Sequence, residues 1–318
     1  MVSLTQDPRH GRPAYGRSAI RNSAIASAFR VPRSPRPGAP GRTFGRVGGS
    51  YGKQLRLIRL STGPGTFIVP LDHAVTVGPI GDVGGLVSLL ARAGVDAVVL
   101  HKGAARRIDP VAFAGTSLVV HLSAGTGPAL DPYSKVLVAS VEEALALGAD
   151  AVSVHVNIGA PTEPDQLRDL GEVARECETL GVPLLAMMYA RGPAVPESAP
   201  SAATLAHLAA IAADLGADMV KLAVCDPVED LREVVASCDL PIVIAGGAPE
   251  GGPAAAVALA SAVMDAGAAG LSFGRQIFTA PDPYATARRL ADLAHGEGGQ
   301  DLDHDLDRRL GAARAESA

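Results

Sequence analysis

Tryptophan is absent from this chain, cysteine occurs only three times, and aromatic residues make up 3% of its 318 positions. An interior with so few rings must be filled by Val, Leu, Ile and Ala, packed closely because small side chains leave little slack. The three cysteines, Cys177, Cys225 and Cys238, are odd in number and share no C-x-x-C spacing. That argues against a disulfide framework or a cysteine zinc site, and it fits a reducing compartment. No apolar stretch reaches the length of a membrane span and no signal-type hydrophobic segment occurs, so a cytoplasmic protein with no membrane partner is expected.

Lysine is scarce too: Lys53, Lys102, Lys135 and Lys221 stand against 24 arginines. The net charge of −5 is unevenly spread, because residues 1–50 hold nine Arg and one acid, Asp7, leaving the other 268 residues at −13. This basic leader is rich in Arg, Pro, Gly and Ser and has no apolar period. It cannot bury enough surface to offset its chain entropy, so disorder is expected over 1–50. It lacks interleaved aromatics and lysines, so no nucleic-acid partner is expected; its composition also resembles a transit peptide. A polar tail is expected over 297–318, which leaves 51–296 for one folded domain.

From residue 65 onward, short β-branched runs alternate with Ala- and Leu-rich helical stretches. The runs are Thr66–Leu71, Ala97–His101, Ser117–Leu122, Ala151–Val156, Leu184–Tyr189, Met219–Val224, Ile242–Ala245 and Gly270–Phe273. Four helical stretches end in a glycine just ahead of the next run, at Gly94, Gly148, Gly216 and Gly267; glycine there can take the left-handed conformation that closes a helix. Eight strand-then-helix repeats predict an α/β fold, the (β/α)8 TIM barrel, with a doubly wound open sheet as the alternative.

Active sites of such barrels collect at the C-terminal ends of the strands. Those ends carry Asp72-His73, His101-Lys102, His121 with Ser123, His155 with Asn157, Tyr189 with Arg191, Lys221, Gly246-Gly247 and Gly274-Arg275. Lys221 sits inside the apolar run Ala217–Val224, in a chain that writes nearly every cation as Arg. Only an amine forms an imine with a ketone, so Lys221 is the candidate nucleophile. Its alternative role is structural, with the ammonium reaching water or pairing with an acid such as Asp218. An amine must be partly neutral to attack, which burial and a neighbouring cation favour; Lys102 and Arg275 are the candidate cations. Tyr189 offers a phenol for proton transfer, against an alternative of plain packing. Asp72, directly after Ile68-Val69-Pro70-Leu71, is the third catalytic candidate, acting by proton transfer or by pairing with Lys221 or Lys102.

Gly246, Gly247 and Gly274 follow strands seven and eight, where backbone N–H groups of these barrels often cradle phosphate, and Arg275 adds a charged fork. A small phosphorylated ketone is the implied substrate, with His73, Lys102, His155 and Arg191 completing the substrate-binding ring. His101, His121 and His155 have no carboxylate cluster beside them, and neither a metal nor a cofactor is expected.

Several longer motifs go further. Ile68-Val69-Pro70-Leu71-Asp72-His73, Leu100-His101-Lys102-Gly103, the stretch from Lys135 to Gly159, Leu184–Pro193, Val220-Lys221 and Ile244-Ala245-Gly246-Gly247 resemble the archaeal-type class I aldolases over about residues 51–294. The resemblance implies that Lys221 forms the Schiff base, Tyr189 donates a proton and Asp72 assists as acid or base. It also implies an enamine derived from dihydroxyacetone phosphate or a deoxy-ketofructose phosphate. The enamine would be added to an aldehyde, with L-aspartate 4-semialdehyde favoured, on the way to aromatic or aminobenzoate precursors. A homo-oligomer is expected, with a decamer among the candidate sizes. Fructose-bisphosphate cleavage by the same residues and a catalytically altered barrel are the alternatives. Two segments depart from the family: Leu222-Ala223-Val224-Cys225-Asp226 replaces a hydroxyl-rich stretch ending in Thr-Gly-Asp, and Ala248-Pro249-Glu250-Gly251 follows Gly246-Gly247 where the family has Pro-Lys. The second change removes a cation from the expected phosphate site.

Overall fold

The computed structural model describes residues 49–61, 63–195, 199–248 and 250–297. Residues 1–48 of the expected leader and 298–318 of the expected tail lie outside the described residues, as does Pro249. Ten strands are present among the described residues: β1 (Thr66–Pro70), β2 (Ala97–Leu100), β3 (Ser117–His121), β4 (Ser123–Ala124), β5 (Val136–Leu137), β6 (Ala151–Ile158), β7 (Leu184–Ala190), β8 (Met219–Leu222), β9 (Ile242–Ala245) and β10 (Gly270–Ser272). Eight of them form a closed barrel in the order β1-β10-β9-β8-β7-β6-β3-β2, every neighbouring pair parallel. These are the eight runs read from the sequence. The two-residue strands β4 and β5 pair antiparallel beside the barrel and were not foreseen.

Both faces of each barrel strand are buried, which is why the runs are apolar almost without interruption. Alternate residues separate into two clusters. Ile68, Ala97, Val99, Val119, Ala151, Leu185, Met187, Met219 and Val243 fill the lumen, while their neighbours Phe67, Val69, Val98, Val120, Val152, Leu184, Ala186, Val220 and Ile244 pack outward against the helices. Met219 and Lys221 therefore share the inward parity, as do Leu185, Met187 and Tyr189.

The joints between helix and strand are structural, as their glycines suggested. Gly94, Gly148, Gly216 and Gly267 have φ of 87°, 81°, 90° and 91°, a region that costs any residue with a Cβ. The aspartates that follow two of them bind the next strand over: Asp96 accepts from the Phe67 amide and Asp218 from the Leu184 amide, both at 2.8 Å.

Helix Tyr51–Arg59, capped by the Ser50 side chain, and Leu60 just after it contribute Leu57 and Leu60 to the lumen cluster and so close the barrel at its N-terminal end. Its Lys53, with a side chain 3% exposed, binds Glu178 at 2.7 Å and Asp218 at 3.1 Å. Burial lowers the affinity of the Lys53 amine for its proton, but the two carboxylates outweigh it and hold the ammonium above its ordinary pKa. Asp218 thus has its cation in Lys53, at the end of the barrel away from the strand C-termini. We predict that Lys53→Met lowers unfolding stability by about 3 kcal/mol or more, since removing one partner leaves the other buried and charged. Chemical denaturation measures this, and a change under about 1 kcal/mol would show that the pair behaves as an exposed one.

Candidate active site

Lys221 is 5% exposed and lies in register between Met187 of β7 and Val243 of β9. No described carboxylate lies within ion-pairing distance of its ammonium, so the Asp218 pairing weighed as its structural alternative does not occur. Its side chain opens into a cavity of about 260 Å³ that is also lined by His73, Tyr189, Arg191, Gly246, Gly247, Ser272, Gly274 and Arg275. Seven of the residues expected in the substrate ring or as its acid–base group are thus brought to one space with Lys221: His73, Tyr189, Arg191, Gly246, Gly247, Gly274 and Arg275.

Tyr189 is held by its ring. His155 stacks on it at a centroid distance of 4.8 Å and an angle of 24°, and the Arg191 guanidinium lies 4.2 Å from the ring centre. His155 itself is fixed through Asn157. The Asn157 Nδ2 donates to the Tyr133 carbonyl at 2.7 Å, which turns its Oδ1 toward His155 Nε2 at 2.8 Å. Nε2 must then carry the proton. Burial, first of several causes, pushes the His155 imidazole well below its ordinary pKa. His155 therefore acts on Tyr189 as a neutral ring, behind the cavity wall.

Asp72 follows β1 at the same rim. Its carboxylate lies 3.8 Å from His121 Nε2 and 3.6 Å from His73 Nδ1. Burial pushes its pKa up, but the positive charge of His121, His73, Lys221 and His101 outweighs that and holds it below the usual carboxylate value. The imidazoles are themselves depressed, chiefly by burial, His121 to about 4. His121 is therefore uncharged at neutral pH. His121 Nδ1 is bonded to Ser153 Oγ at 2.8 Å, as a hydrogen-bonded rim histidine would be.

Lys102 is placed otherwise than expected. Ala97, Val99 and His101 face the lumen, so Lys102 turns outward, opens the short helix Lys102–Ala105 and binds Glu143 at 2.9 and 3.0 Å. It neither lines the cavity nor supplies the second cation beside Lys221.

The glycine loops are held open by a residue the sequence did not single out. Gln276 Nε2 donates to the carbonyls of Gly246, Gly247 and Ala248, the last two at 3.1 and 3.3 Å. A Cβ on Gly246 would meet this amide at 2.7 Å, and one on Gly274 would meet the Pro70 carbonyl at 2.5 Å. Among the described residues the N–H groups of Gly246, Gly247 and Gly274 make no loop, turn or cap bond to a backbone carbonyl. Donors of that kind, with Arg275 beside them, suit a phosphate. No group of three or more His, Cys, Asp or Glu able to hold a metal is found among the described residues, and none of their helices is long and apolar enough to cross a membrane.

Residues 66–280 match the model of the DeoC/LacD family aldolases. The chain is 46% identical over 253 residues, 78% of its length and 92% of the relative's, to the 2-amino-4,5-dihydroxy-6-oxo-7-(phosphonooxy)heptanoate synthase of Streptomyces griseus. It is 40% identical over 247 residues, 77% of its length and 92% of the relative's, to the 2-amino-3,7-dideoxy-D-threo-hept-6-ulosonate synthase 1 of Archaeoglobus fulgidus. Among solved structures, a Schiff-base-forming fructose-1,6-bisphosphate aldolase superposes with a TM-score of 0.71 at 26% identity, covering 76% of this chain and 99% of the other.

Proposed function

We propose that this chain, which belongs to the DeoC/LacD family of aldolases, uses Lys221 as a Schiff-base nucleophile to join dihydroxyacetone phosphate to L-aspartate 4-semialdehyde. The observation that carries this is the cavity into which a buried lysine, with no carboxylate within ion-pairing distance among the described residues, opens together with Tyr189 and the glycine loops.

Chemistry supports the substrates. The product for which the Streptomyces relative is named has a C6 ketone, a C5 carbon beside it and a C4 hydroxyl, the pattern an aldol addition leaves. Cutting its C4–C5 bond returns dihydroxyacetone phosphate from C5–C7 and aspartate 4-semialdehyde from C1–C4. In this chain the Lys221 amine would add to the ketone and, taking up a proton, lose water to give a protonated imine. Loss of the adjacent proton gives an enamine, whose carbon attacks the aldehyde; the new alkoxide takes a proton, and one water hydrolyses the imine and frees Lys221. The Tyr189 phenol moves protons at the cavity, and Asp72 balances the charge on Lys221 and serves as acid or base. Arg191, which lies over the Tyr189 ring and lines the cavity, would receive the acceptor's carboxylate.

Incubation with both substrates should yield the C7 phosphate adduct by mass spectrometry. Cleavage of fructose 1,6-bisphosphate at a higher kcat/KM would favour the second reading, which rests on the superposed fructose-bisphosphate aldolase. Arg275→Ala should raise KM for dihydroxyacetone phosphate about thirtyfold, the ratio corresponding to ~2 kcal/mol for a charge-assisted contact. Unphosphorylated dihydroxyacetone should hardly register the change. Equal effects on both donors would move the phosphate away from Gly246, Gly247 and Gly274.

A further inference from the structure

We propose that Ser272 is a substrate-binding residue whose hydroxyl donates a hydrogen bond to the phosphate-bearing end of the donor ketone. Ser272 pairs in register with Ile68 of β1 and Ala245 of β9. Ile68 belongs to the lumen cluster, so Ser272 faces the lumen as well. It is 2% exposed, it lines the Lys221 cavity, and its Oγ has no hydrogen-bond partner among the described residues.

A buried hydroxyl without a partner costs about 1–3 kcal/mol, and alanine would occupy the same place without that cost. Other buried hydroxyls at this end of the barrel are used: Ser153 bonds His121 and Ser123 accepts from the His155 amide. Thr116 likewise has no partner among the described residues, but it precedes β3 and does not line the cavity. Ser272 stands on the strand that runs into Gly274, next to the strand that runs into Gly246. It therefore lies along the path from Lys221 to the glycine loops. Serine turns among its staggered positions readily, so the hydroxyl can swing to a phosphate oxygen, where a charged acceptor makes the bond stronger than one to a neutral group. His73, whose buried Nδ1 likewise lacks a hydrogen-bond partner, lines the same cavity, and its ring edge lies 3.2 Å from where a Cβ on Gly274 would stand.

The inference rests on the aldolase reading, and its test keeps the two apart. Ser272→Ala and the near-isosteric Ser272→Cys would be compared with wild type in turnover with aspartate 4-semialdehyde, in borohydride trapping with and without donor phosphate, and in thermal melting. Both variants should lose about tenfold to a hundredfold in kcat/KM for dihydroxyacetone phosphate. Trapping of unphosphorylated dihydroxyacetone should change less than about twofold, and the alanine variant should melt at the wild-type temperature or above it, because no protein bond is lost. A merely structural serine would give a lower melting temperature and equal losses for both donors. That outcome, or a kcat/KM within about twofold of wild type in a folded variant, overturns the proposal. If wild type itself traps no ketose phosphate, the aldolase reading fails and the Ser272 role falls with it.

Discussion

Lys221→Ala should abolish turnover and take up no borohydride-stable adduct, whereas wild type treated with dihydroxyacetone phosphate and borohydride should gain one reduced-donor mass, located on Lys221. The chain's other three lysines are accounted for. Lys53 is sealed at the opposite end of the barrel by Glu178 and Asp218, and Lys102 points outward to Glu143. Lys135 is half-buried beside Arg191 but does not line the cavity. Removing a catalytic nucleophile costs roughly 10⁴-fold or more, so residual activity should fall below detection in ordinary assays. The fold should survive, because alanine replaces a buried ammonium that has no carboxylate within ion-pairing distance among the described residues. An adduct that persists in the variant, or that maps to Lys102 or Lys135, would overturn the assignment.

The sequence carries the barrel because its joints repeat. A positive-φ glycine closes the helix before a strand at each of Gly94, Gly148, Gly216 and Gly267, and the strands between are apolar on both faces. That second property hides the facing of side chains. In Ala97-Val98-Val99-Leu100 every residue is buried, so no alternation tells which of His101 and Lys102 enters the lumen, and only the packed barrel decides for His101. Tyr189 and Lys221 escaped this ambiguity because each is the lone polar group of its run, Tyr189 at the end of Leu184–Tyr189 and Lys221 within Met219–Val224. The bonds from Gln276 to the Gly246 loop, and from Lys53 to Asp218, join segments far apart in the chain, and nothing local marks them. Ser272 is equally silent in sequence, since a serine in a strand becomes informative only when its hydroxyl is found buried without a partner.

Tyr189→Phe should lower kcat by about 10²- to 10⁴-fold, the usual contribution of a general acid–base group, while leaving imine trapping and melting temperature close to wild type. The substitution is clean because Tyr189 is held by its ring. His155 stacks on one face at 4.8 Å and the Arg191 guanidinium sits 4.2 Å from the centroid, and a phenylalanine ring offers the same surface to both. What is lost is one hydroxyl in the cavity that Lys221 enters. Imine formation needs the amine and the ketone, so the borohydride adduct should still form. Passage through the enamine and protonation of the new alkoxide need a group that moves protons, and the imidazoles nearest Asp72 are held neutral with their pKa values depressed by burial. They are weak candidates to replace the phenol as acid at neutral pH. The expected signature is therefore slow turnover with undiminished trapping. A rate within about threefold of wild type, set against the 10² or more that acid–base groups supply, would return Tyr189 to packing and leave proton transfer to Asp72. Loss of the trapped adduct together with turnover would instead mean that the phenol is needed before the imine forms, at the carbinolamine whose hydroxyl must leave as water.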